Sequence, residues 1–293
     1  MKELINKAQI LVEALPYIKD FHGKTIVIKY GGSIGKEDLS NFASDLMLMK
    51  YVGIKPVVIH GGGPQIEENL EKLGIKSEFI AGLRVTDDIT MEVAEMVLVG
   101  KVNQQIIASI QKEGGKAVGL SGKEGNTIIA AKIEIGKILK QNGIKLPKNT
   151  DLGNVGEVVK INPELIRSLE DSGYIPVIAP IGTDENGNTY NINADHVAGK
   201  VAGALNAEKL ILLTNVPGIL DSKNVLISSL TEKEAKKLIK SETISKGMIP
   251  KVNCAFEAIN EGVKKVHIID GTLKRALILE LFTDSGIGTE IMI

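Results

Sequence analysis

Residues 25–33 read Thr-Ile-Val-Ile-Lys-Tyr-Gly-Gly-Ser, and residues 56–64 read Pro-Val-Val-Ile-His-Gly-Gly-Gly-Pro. Each stretch is an apolar, strand-like run that leads directly into glycines, and Lys29 precedes the first glycine pair. Glycines at the carboxyl end of a strand let backbone N–H groups approach an anion, and a following helix directs its positive end to the same place. Two such loops predict a site for both anionic partners of a phosphoryl transfer, although each loop alone is equally well explained as a tight turn.

The rest of the chain alternates strand-like and helix-like stretches, which predicts an α/β fold with a largely parallel sheet. No Ser/Gly-rich or charged linker separates the halves, so we expect two lobes that share one sheet. Residues 124–161 contain short β-prone pieces split by glycines and predict hairpins, and residues 184–188 (Asp-Glu-Asn-Gly-Asn) predict a hairpin turn. The pattern places strands at 25–30, 54–60, 115–120, 174–179, 209–213, 264–269 and 289–292, and helices at 37–51, 65–73, 87–113, 163–171, 195–205, 231–239, 248–261 and 273–282.

The composition is typical of a soluble globular protein, since 43% of the 293 residues are hydrophobic and 24% are charged. A formal net charge of −1 gives no electrostatic reason to expect a nucleic acid or a membrane surface as a partner. No segment has the ~20 consecutive apolar residues of a membrane helix. The single cysteine, Cys254, and the lack of a signal pattern in residues 1–21 predict a reducing, cytoplasmic location. An apolar stripe predicts an N-terminal helix; its members are Ile5, Ile10, Leu11, Ala14 and Leu15.

Familiar phosphate and metal motifs do not fit this sequence. Residues 23–25 (Gly-Lys-Thr) end like a Walker A motif, but Ile18 stands where that motif needs its first glycine. At the second glycine loop, Ile66 replaces the last glycine of a dinucleotide-binding fingerprint, and the protein-kinase motif set is missing. The sequence contains neither His-Glu-x-x-His nor Cys-x-x-Cys, so we expect no zinc site and no metal held by protein ligands.

Two further motifs place a positive charge beside a helix start. In residues 82–86 (Gly-Leu-Arg-Val-Thr), the Arg84 guanidinium can hold a carboxylate through two parallel hydrogen bonds, or it can pair on the surface with Asp87 or Asp88. In residues 247–251 (Gly-Met-Ile-Pro-Lys), Lys251 falls in the first turn of a helix. A cation is unfavourable there because of the helix dipole, so Lys251 needs an anion or must point away.

A third motif, residues 191–195 (Asn-Ile-Asn-Ala-Asp), spaces three polar side chains two positions apart at a strand-to-helix junction. In an extended stretch these side chains point the same way and could line a site. The alternative is that Asp195 simply caps the helix, which is the commoner use of such a residue.

The chain closely resembles the amino acid kinase family, and within it the N-acetylglutamate kinases, in five motifs that occur in the same order. They are residues 29–32, 60–64, 82–86, 191–195 and 247–251. The resemblance covers nearly the whole chain, and the Gly-Leu-Arg-Val-Thr and Gly-Met-Ile-Pro-Lys pieces together are its most selective part. It implies a three-layer αβα sandwich and a reaction in which ATP phosphorylates the side-chain carboxylate of N-acetyl-L-glutamate, the second step of arginine biosynthesis.

The resemblance also implies roles for the matched residues. Lys29 would stabilise the transferring phosphoryl group, and Lys251 would stabilise the leaving ADP. Asp195 would orient both ammonium groups. N–H groups around Gly32 and Gly62 would donate to phosphoryl oxygens. The nucleophile is a carboxylate that is already ionised at neutral pH, so the reaction needs positioning and charge stabilisation rather than a general base. Residues matching the acetylated amino acid are Gly62, Gly63, Arg84 and Asn191. Residues matching ATP, which is expected with Mg²⁺, are Thr214, Asn215, Val216, Pro217, Gly218, Thr243, Ser245 and Lys246.

The N-terminal helix resembles an extension found in arginine-inhibited, ring-shaped hexameric members, where such helices interlace between dimers. Near the C-terminus, His267, Glu280 and Gly286 resemble the arginine-site signature, in which Arg275 replaces the usual histidine and either weakens effector binding or points to solvent. The alternative is that His267 and Glu280 are ordinary strand-end and helix-surface residues. The resemblance thus implies an arginine effector and a homodimer that assembles into a homohexamer, a trimer of dimers; some relatives also bind a nitrogen-signalling PII protein. The implied parts are an oligomerisation helix (1–22), an amino-acid-substrate lobe (23–194) and a nucleotide lobe with the arginine site (195–293).

Three other functions are compatible with parts of this pattern. Another member of the superfamily, such as a glutamate 5-kinase, aspartate kinase, carbamate kinase or UMP kinase, is disfavoured by residues 82–86. A non-catalytic, arginine-sensing relative would be expected to lack Lys29, Asp195 or Lys251, and all three are present. A dinucleotide-dependent oxidoreductase is disfavoured by the missing fingerprint.

Overall fold

The computed structural model describes residues 1–31, 36–80, 82–134, 150–244 and 247–292, and strands and helices are numbered in chain order. Eight strands form the central sheet. Side by side they are β12 (Ser229–Thr231), β14 (Thr289–Met292), β13 (Lys265–Asp270), β11 (Lys209–Thr214), β1 (Thr25–Tyr30), β2 (Lys55–His60), β8 (Ile175–Ile178) and β5 (Ala117–Leu120). All neighbours are parallel except β13 and β14, so the predicted, largely parallel sheet is confirmed.

Two smaller β structures stand beside this sheet. The strands β6 (Ile128–Lys132), β7 (Val155–Ile161), β9 (Ile181–Thr183) and β10 (Thr189–Ile192) close into a small barrel. Strands β6 and β7 are antiparallel, as are β9 and β10 on either side of the predicted turn at 184–188, which confirms the hairpins. Residues 135–149 lie outside the described residues. A two-stranded ribbon pairs β3 (Phe79–Ile80) with β4 (Leu83–Arg84).

The helices cover both faces of the sheet. They are α1 (Lys2–Phe21), α2 (Lys36–Tyr51), α3 (Gly63–Lys72), α4 (Asp88–Glu95), α5 (Gln104–Lys112), α6 (Glu164–Asp171), α7 (Ala194–Leu205), α8 (Glu232–Lys240), α9 (Met248–Asn260) and α10 (Ala276–Leu281). The predicted helix at 273–282 is shorter than expected because Arg275 adopts a left-handed φ of 65° just before α10. Within the described ranges, no helix combines the length and apolarity needed to cross a membrane.

Alternating side chains of the strands build two separate cores. On β1, Ile26 and Ile28 face the layer made by α2 to α5 and α10, whereas Val27 faces the layer made by α6 to α9. This alternation follows from the two-residue period of a strand, with both faces of a parallel sheet buried. The predicted three-layer αβα sandwich is therefore confirmed.

The largest departure from the predicted elements is in residues 87–113, where the pattern predicts one long α-helix. Asp87 caps α4 by accepting a hydrogen bond from the Thr90 N–H (2.8 Å), but Met96–Asn103 form a π-helical segment between α4 and α5. Its wider turns bury Leu98 and Asn103 against the second glycine loop. Such π segments are found mainly at functional sites, and here the segment shapes that loop.

The connectivity of the sheet decides where a ligand can bind. Strand β1 is central, with β2 from the first half of the chain on one side and β11 from the second half on the other. The strand order therefore reverses at β1, which makes this position a topological switch point. In open α/β sheets, ligands bind outside the carboxyl ends of the strands at such a point. Lys29, His60 and Thr214 are at or next to the carboxyl ends of these three strands.

Candidate active site

Lys29, Asp195 and Lys251 come from three elements and meet at the switch point. Lys29 is near the end of β1, Asp195 is the second residue of α7, and Lys251 is the fourth residue of α9. Lys251 Nζ donates to Asp195 Oδ2 (2.6 Å), and Lys29 Nζ pairs with Asp195 Oδ1 (3.0 Å). All three side chains are at least 85% buried. The anion that Lys251 needs at its helix start is thus Asp195.

The charges of this cluster are strongly coupled. Burial alone would raise the pKa of Asp195, but the ammonium groups of Lys29 and Lys251 outweigh it and lower the pKa to about 2. Burial and the nearby Lys29 lower the pKa of Lys251, against the opposing attraction of Asp195. Two ammonium groups share one carboxylate, so the cluster has one excess positive charge and attracts an anion.

Asn193, rather than Asp195, caps α7. This corrects the expectation that Asp195 caps the helix and the expectation that residues 191–195 form one extended stretch. The Asn193 Oδ1 atom accepts hydrogen bonds from the N–H groups of Asp195 (2.8 Å) and His196 (3.3 Å). The extended backbone therefore ends at Asn193, and the three polar side chains do not project from one strand face. The buried thiol of Cys254 donates to the carbonyl oxygen of Asp195 (2.7 Å), and burial raises its pKa. Both contacts fix the first turn of α7.

The second glycine loop forms the start of α3. Gly62 is the N-cap and Gly63 is the first helical residue, so first-turn N–H groups that lack helical acceptors face outward with partial positive charge. A Cβ at Gly62 would lie 2.6 Å from Leu98 Cδ2, so a larger residue there would have to displace the buried Leu98 side chain of the π-helical segment. The Gly61 N–H donates to the Tyr30 carbonyl (2.9 Å), which ties this loop to the end of β1.

His60 is a neutral structural residue of this loop. It is completely buried, and burial lowers its pKa to about 4. Its Nδ1–H donates to Gly61 O (3.1 Å), and its Nε2 accepts from Asn103 Nδ2 (3.1 Å), which also donates to Val177 O (2.8 Å). His60 therefore adds no charge to the site but fixes the glycine backbone. The sequence reasoning missed Asn103, because only the π-helical turn brings it to His60.

Arg84 lies on β4 and is buried, so the alternative, a surface arginine that pairs with Asp87 or Asp88, is wrong. Its Nη1 donates to Glu67 Oε2 and Ser77 Oγ, and its Nη2 donates to Gly63 O (3.2 Å). The guanidinium also stacks over the Phe79 ring at 4.5 Å. Arg84 is therefore held next to the start of α3. Sequence reasoning missed Glu67, which lies one helical turn after Gly63.

Asn191 on β10 is connected to Arg84 through one side chain. Its Nδ2 lies 3.5 Å from Thr86 Oγ1, and that hydroxyl donates to the Arg84 carbonyl oxygen (2.9 Å). The barrel strand, the ribbon and the start of α3 thus form one wall. A cavity of about 910 Å³ opens beside it between the ribbon, the barrel and helices α8 and α9, and Asp195 lies in the cavity wall.

The loop after β11 contains the residues predicted to bind a nucleotide. Gly271 N–H donates to Thr214 O (2.8 Å) at its start, and Ile219 N–H donates to Thr289 Oγ1 (2.9 Å) at its end. Gly218 has a φ of 145°, and a Cβ there would lie 2.8 Å from both Thr289 Oγ1 and Leu226 Cδ1. Asn215 and Pro217 are exposed, and Val216 is half-buried. Thr243 is half-buried beside Ser241, whereas Gly32, Ser245 and Lys246 lie outside the described residues.

A second cavity, of about 570 Å³, lies at the amino ends of the strands, at the opposite edge of the sheet from Lys29. His267, Glu280 and Gly286 all line it. His267 Nδ1 contacts Glu280 Oε1, and Glu280 Oε2 accepts from the Ile287 N–H (2.9 Å). Burial would raise the pKa of Glu280, but His267 and the Ile287 N–H hold it below its ordinary value. Glu280 is thus a buried carboxylate rather than a helix-surface acid.

Arg275 is outside the described lining of this second cavity. Its Nη1 pairs with Asp45 Oδ1 of α2 at 3.0 Å, while 46% of the Arg275 side chain is exposed. Whether its positive charge weakens effector binding stays a prediction. Asp45 is buried, and burial raises its pKa against the lowering effects of Arg275 and of the Leu277 and Ile278 backbone. The Asp45 carboxylate thus connects α2 to the start of α10.

Known proteins resemble this chain over its full length. The sequence profile of the Amino acid kinase family matches residues 24–270. The acetylglutamate kinase of Heliobacterium modesticaldum is 56% identical, with 100% of both chains covered. That of Syntrophobacter fumaroxidans is 53% identical, covering 99% of this chain and 97% of its own.

Among solved structures, N-acetylglutamate synthase from Neisseria gonorrhoeae, complexed with coenzyme A and N-acetyl-glutamate, superposes with a TM-score of 0.84 at 29% identity. The match covers 98% of this chain but only 63% of the synthase chain, which is therefore considerably longer. The profile match and the high identity to full-length relatives agree with the central sheet and its charged switch point. This chain belongs to the amino acid kinase family.

Proposed function

We propose that this protein is an N-acetyl-L-glutamate kinase, which transfers the γ-phosphoryl group of ATP to the side-chain carboxylate and yields ADP and N-acetyl-L-glutamyl 5-phosphate in the second step of arginine biosynthesis. The observation that carries the proposal is the Lys29–Asp195–Lys251 cluster at the carboxyl edge of the sheet, together with Arg84 held at the start of α3. Full-length relatives at 53–56% identity bear the name acetylglutamate kinase.

The geometry supplies what this reaction needs. A carboxylate must approach a phosphoryl group although both are negative, and the excess positive charge of the cluster offsets that repulsion. Lys29 acts on the transferring group, Lys251 acts on the leaving ADP, and Asp195 holds both ammonium groups in place. N–H groups at Gly32 and Gly62 donate to phosphoryl oxygens. The acceptor is already ionised, so neutral, buried His60 is not needed as a base.

Mg²⁺ is proposed to arrive with ATP. Within the described residues, no group of three or more His, Cys, Asp or Glu side chains could hold a metal ion. The one carboxylate of the cluster, Asp195, is taken by two lysines. The described residues therefore do not fit a metal held by protein ligands alone, and they fit an ion bound by phosphates and water.

We assign ATP to the second lobe, 195–293, and the acetylated amino acid to the first, 23–194. The exposed turn after β11, with Thr214, Asn215, Val216, Pro217 and Gly218, and the stretch with Thr243, Ser245 and Lys246 before α9 would hold the nucleotide. Gly62, Gly63, Arg84 and Asn191 would hold the acetylated amino acid. In-line transfer requires the two substrates to approach each other at the charge cluster, which this assignment proposes.

A coupled assay of ADP release tests the function directly. We expect release that depends on N-acetyl-L-glutamate and is at least about tenfold slower with glutamate, aspartate, carbamate or UMP at equal concentration. A faster rate of ADP release with any of these acceptors than with acetylglutamate, or a rate that does not depend on acetylglutamate, would overturn the proposal.

Arg84→Ala is expected to raise the KM for acetylglutamate about 10–100-fold, because a hydrogen-bonded charge pair contributes about 1.5–3 kcal/mol, and to leave the KM for ATP unchanged. The KM for acetylglutamate in Arg84→Lys should lie between the values for the wild type and Arg84→Ala, because lysine keeps the charge but lacks the planar set of N–H donors. Arg167→Ala is the matched control, because Arg167 is exposed and donates to Ala204 O on α7. An equal loss of ATP affinity would show that Arg84 does not bind the amino acid.

We also propose that arginine inhibits the enzyme by binding in the second cavity and that the protein forms a hexamer, a trimer of dimers. Glu280 and the backbone near Gly286 would receive the guanidinium group. Helix α1 contributes Tyr17 and Phe21 to this cavity, and the Tyr17 hydroxyl donates to Asp284. Apolar side chains of α1 are exposed on the protomer, which favours interlacing with another copy: Leu4, Ile5, Ile10, Leu11, Val12 and Leu15.

Deleting residues 1–20 is expected to give dimers that keep kcat and are inhibited by arginine only at higher concentration, because the deletion removes both the exposed apolar stripe and Tyr17. Size-exclusion chromatography with light scattering, together with arginine titration of ADP release, measures both effects. A truncated protein that stays hexameric would contradict the assembly proposal. Unchanged inhibition would contradict the placement of arginine next to α1.

A further inference from the structure

Within the described residues, the guanidinium of Arg84 is held through its two terminal nitrogens, Nη1 and Nη2. Of its five N–H donors, two on Nη1 serve Glu67 and Ser77, and one on Nη2 serves the carbonyl of Gly63. The Nε–H and the remaining Nη2–H make up the Nε–Nη2 edge, with the parallel geometry that receives a carboxylate through two hydrogen bonds. Phe79 covers one face of the group at 4.5 Å.

Glu67 holds this arrangement together from α3. Its carboxylate accepts from Arg84, and Arg84, followed by Ser77, lowers the pKa of Glu67 below its ordinary value, so Glu67 is ionised at neutral pH. The two side chains differ in accessibility, with 7% of Arg84 and 36% of Glu67 exposed. Glu67 thus reaches Arg84 from the solvent side of α3.

The ribbon β3–β4 is a small element whose Ile80 and Leu83 side chains also pack against Leu152 and Val155. Its two strands have two residues each, and it contains both Phe79 and Arg84. Contacts from Arg84 to Glu67 and to Gly63 O connect the ribbon to the first turns of α3. The same guanidinium therefore connects the ribbon to the glycine loop.

We propose that Glu67 is a positioning residue, which clamps the ribbon onto α3 and turns the free edge of Arg84 towards the α-carboxylate of the acceptor. This inference rests on the proposed function for the identity of the acceptor, but the clamp itself is a property of the free protein. Glu67 touches no reacting atom in this role.

The opposite role for Glu67 makes the opposite prediction. If its carboxylate occupied the place of the substrate carboxylate, removing it would relieve competition and lower the KM for the acceptor. The donor count argues against this, because Glu67 uses Nη1 and leaves the Nε–Nη2 edge open. If Glu67 is a clamp, its loss frees the Arg84 guanidinium to rotate. Substrate binding then includes the free-energy cost of ordering that group.

Steady-state kinetics of the full-length protein separate these roles. Glu67→Ala is expected to raise the KM for acetylglutamate at least about tenfold, with kcat and the KM for ATP changed less than about threefold. Glu67→Gln should be milder, since its amide oxygen still accepts from Nη1. Glu68→Ala is the control on the same helix, because Glu68 pairs with Lys72 and Lys101 at the exposed surface. A lower KM in either Glu67 variant would overturn the proposal.

Hydrogen–deuterium exchange without substrate tests the clamp even if the acceptor is another molecule. Amides of residues 78–85 are expected to exchange at least about threefold faster in Glu67→Ala than in the wild type, and at the wild-type rate in Glu68→Ala. Unchanged exchange in Glu67→Ala would overturn the clamp. Failure of wild-type acetylglutamate-dependent ADP release would instead overturn the proposed function and leave the clamp standing.

Discussion

Lys251→Ala is expected to lower kcat about 10²–10³-fold, the usual loss when one preorganised donor to a transition state is removed. The KM for either substrate should change far less, because in the proposed mechanism Lys251 stabilises charge that develops only as the bond to ADP breaks. The structure supports a dedicated role. Lys251 is buried in the first turn of α9, where the helix dipole disfavours a cation, and Asp195 compensates for this at 2.6 Å.

The control for this variant is Lys200→Ala. Lys200 is a lysine of α7 that pairs with Glu261 at the surface, so its loss should leave kcat within about twofold, as is usual for an exposed ion pair. Single-turnover measurement of ADP formation would separate chemistry from product release. An unchanged kcat for Lys251→Ala would remove Lys251 from the mechanism.

Asp195→Asn is expected to reduce both activity and stability. The variant leaves two ammonium groups close together without their shared anion, so they repel each other and lose their orientation. Removing one partner from a buried ion pair costs about 3–5 kcal/mol, and we expect the free energy of unfolding to fall by about that amount. The loss in kcat should be at least about 10²-fold, because both donors are misplaced. A wild-type kcat in Asp195→Asn would show that Asp195 is not needed to hold Lys29 and Lys251 in position.

The pH dependence of stability provides a separate test of Asp195. Its pKa is about 2 in the folded protein and 3.8 for an unperturbed carboxyl, so its ionised form stabilises the folded state above pH 3.8. This contribution is lost as the pH falls from 3.8 towards 2, because the unfolded chain takes up the proton in this range while the folded protein keeps Asp195 ionised. In urea unfolding, the stability difference between wild type and Asp195→Asn should therefore shrink over this range. A difference that stays constant would show that Asp195 is not held ionised by the lysines.

The parts of the site that the sequence could predict are those encoded locally. Lys29 follows an apolar strand, and Gly61 to Gly63 follow another, so their place at the carboxyl edge of a parallel sheet comes from strand pattern alone. Asn103 and Glu67 could not be found this way. Asn103 reaches His60 across 43 positions of sequence through a π-helical turn, and Glu67 reads as one more polar residue of an amphipathic helix until the ribbon folds over it.

The capping of α7 shows a different limit. Asn193 and Asp195 are both good capping residues, and local preferences do not choose between them. The choice is made by the two lysines, because Asp195 gains more from two ammonium groups than from backbone N–H groups. Both lysines are distant in sequence, so the pattern of residues 191–195 alone predicted the wrong cap.

The central place of β1 has a consequence for folding during synthesis. One neighbour of β1 is made soon afterwards, at residues 55–60, but the other, at residues 209–214, emerges much later. At about 5–20 residues per second, one edge of β1 remains without its partner for on the order of ten seconds. Pairing over such a sequence distance is slow, and an open apolar edge invites aggregation meanwhile. Closing the sheet with β11 ends that exposure, and α7, which immediately precedes β11, brings Asp195 to Lys29 in the same step.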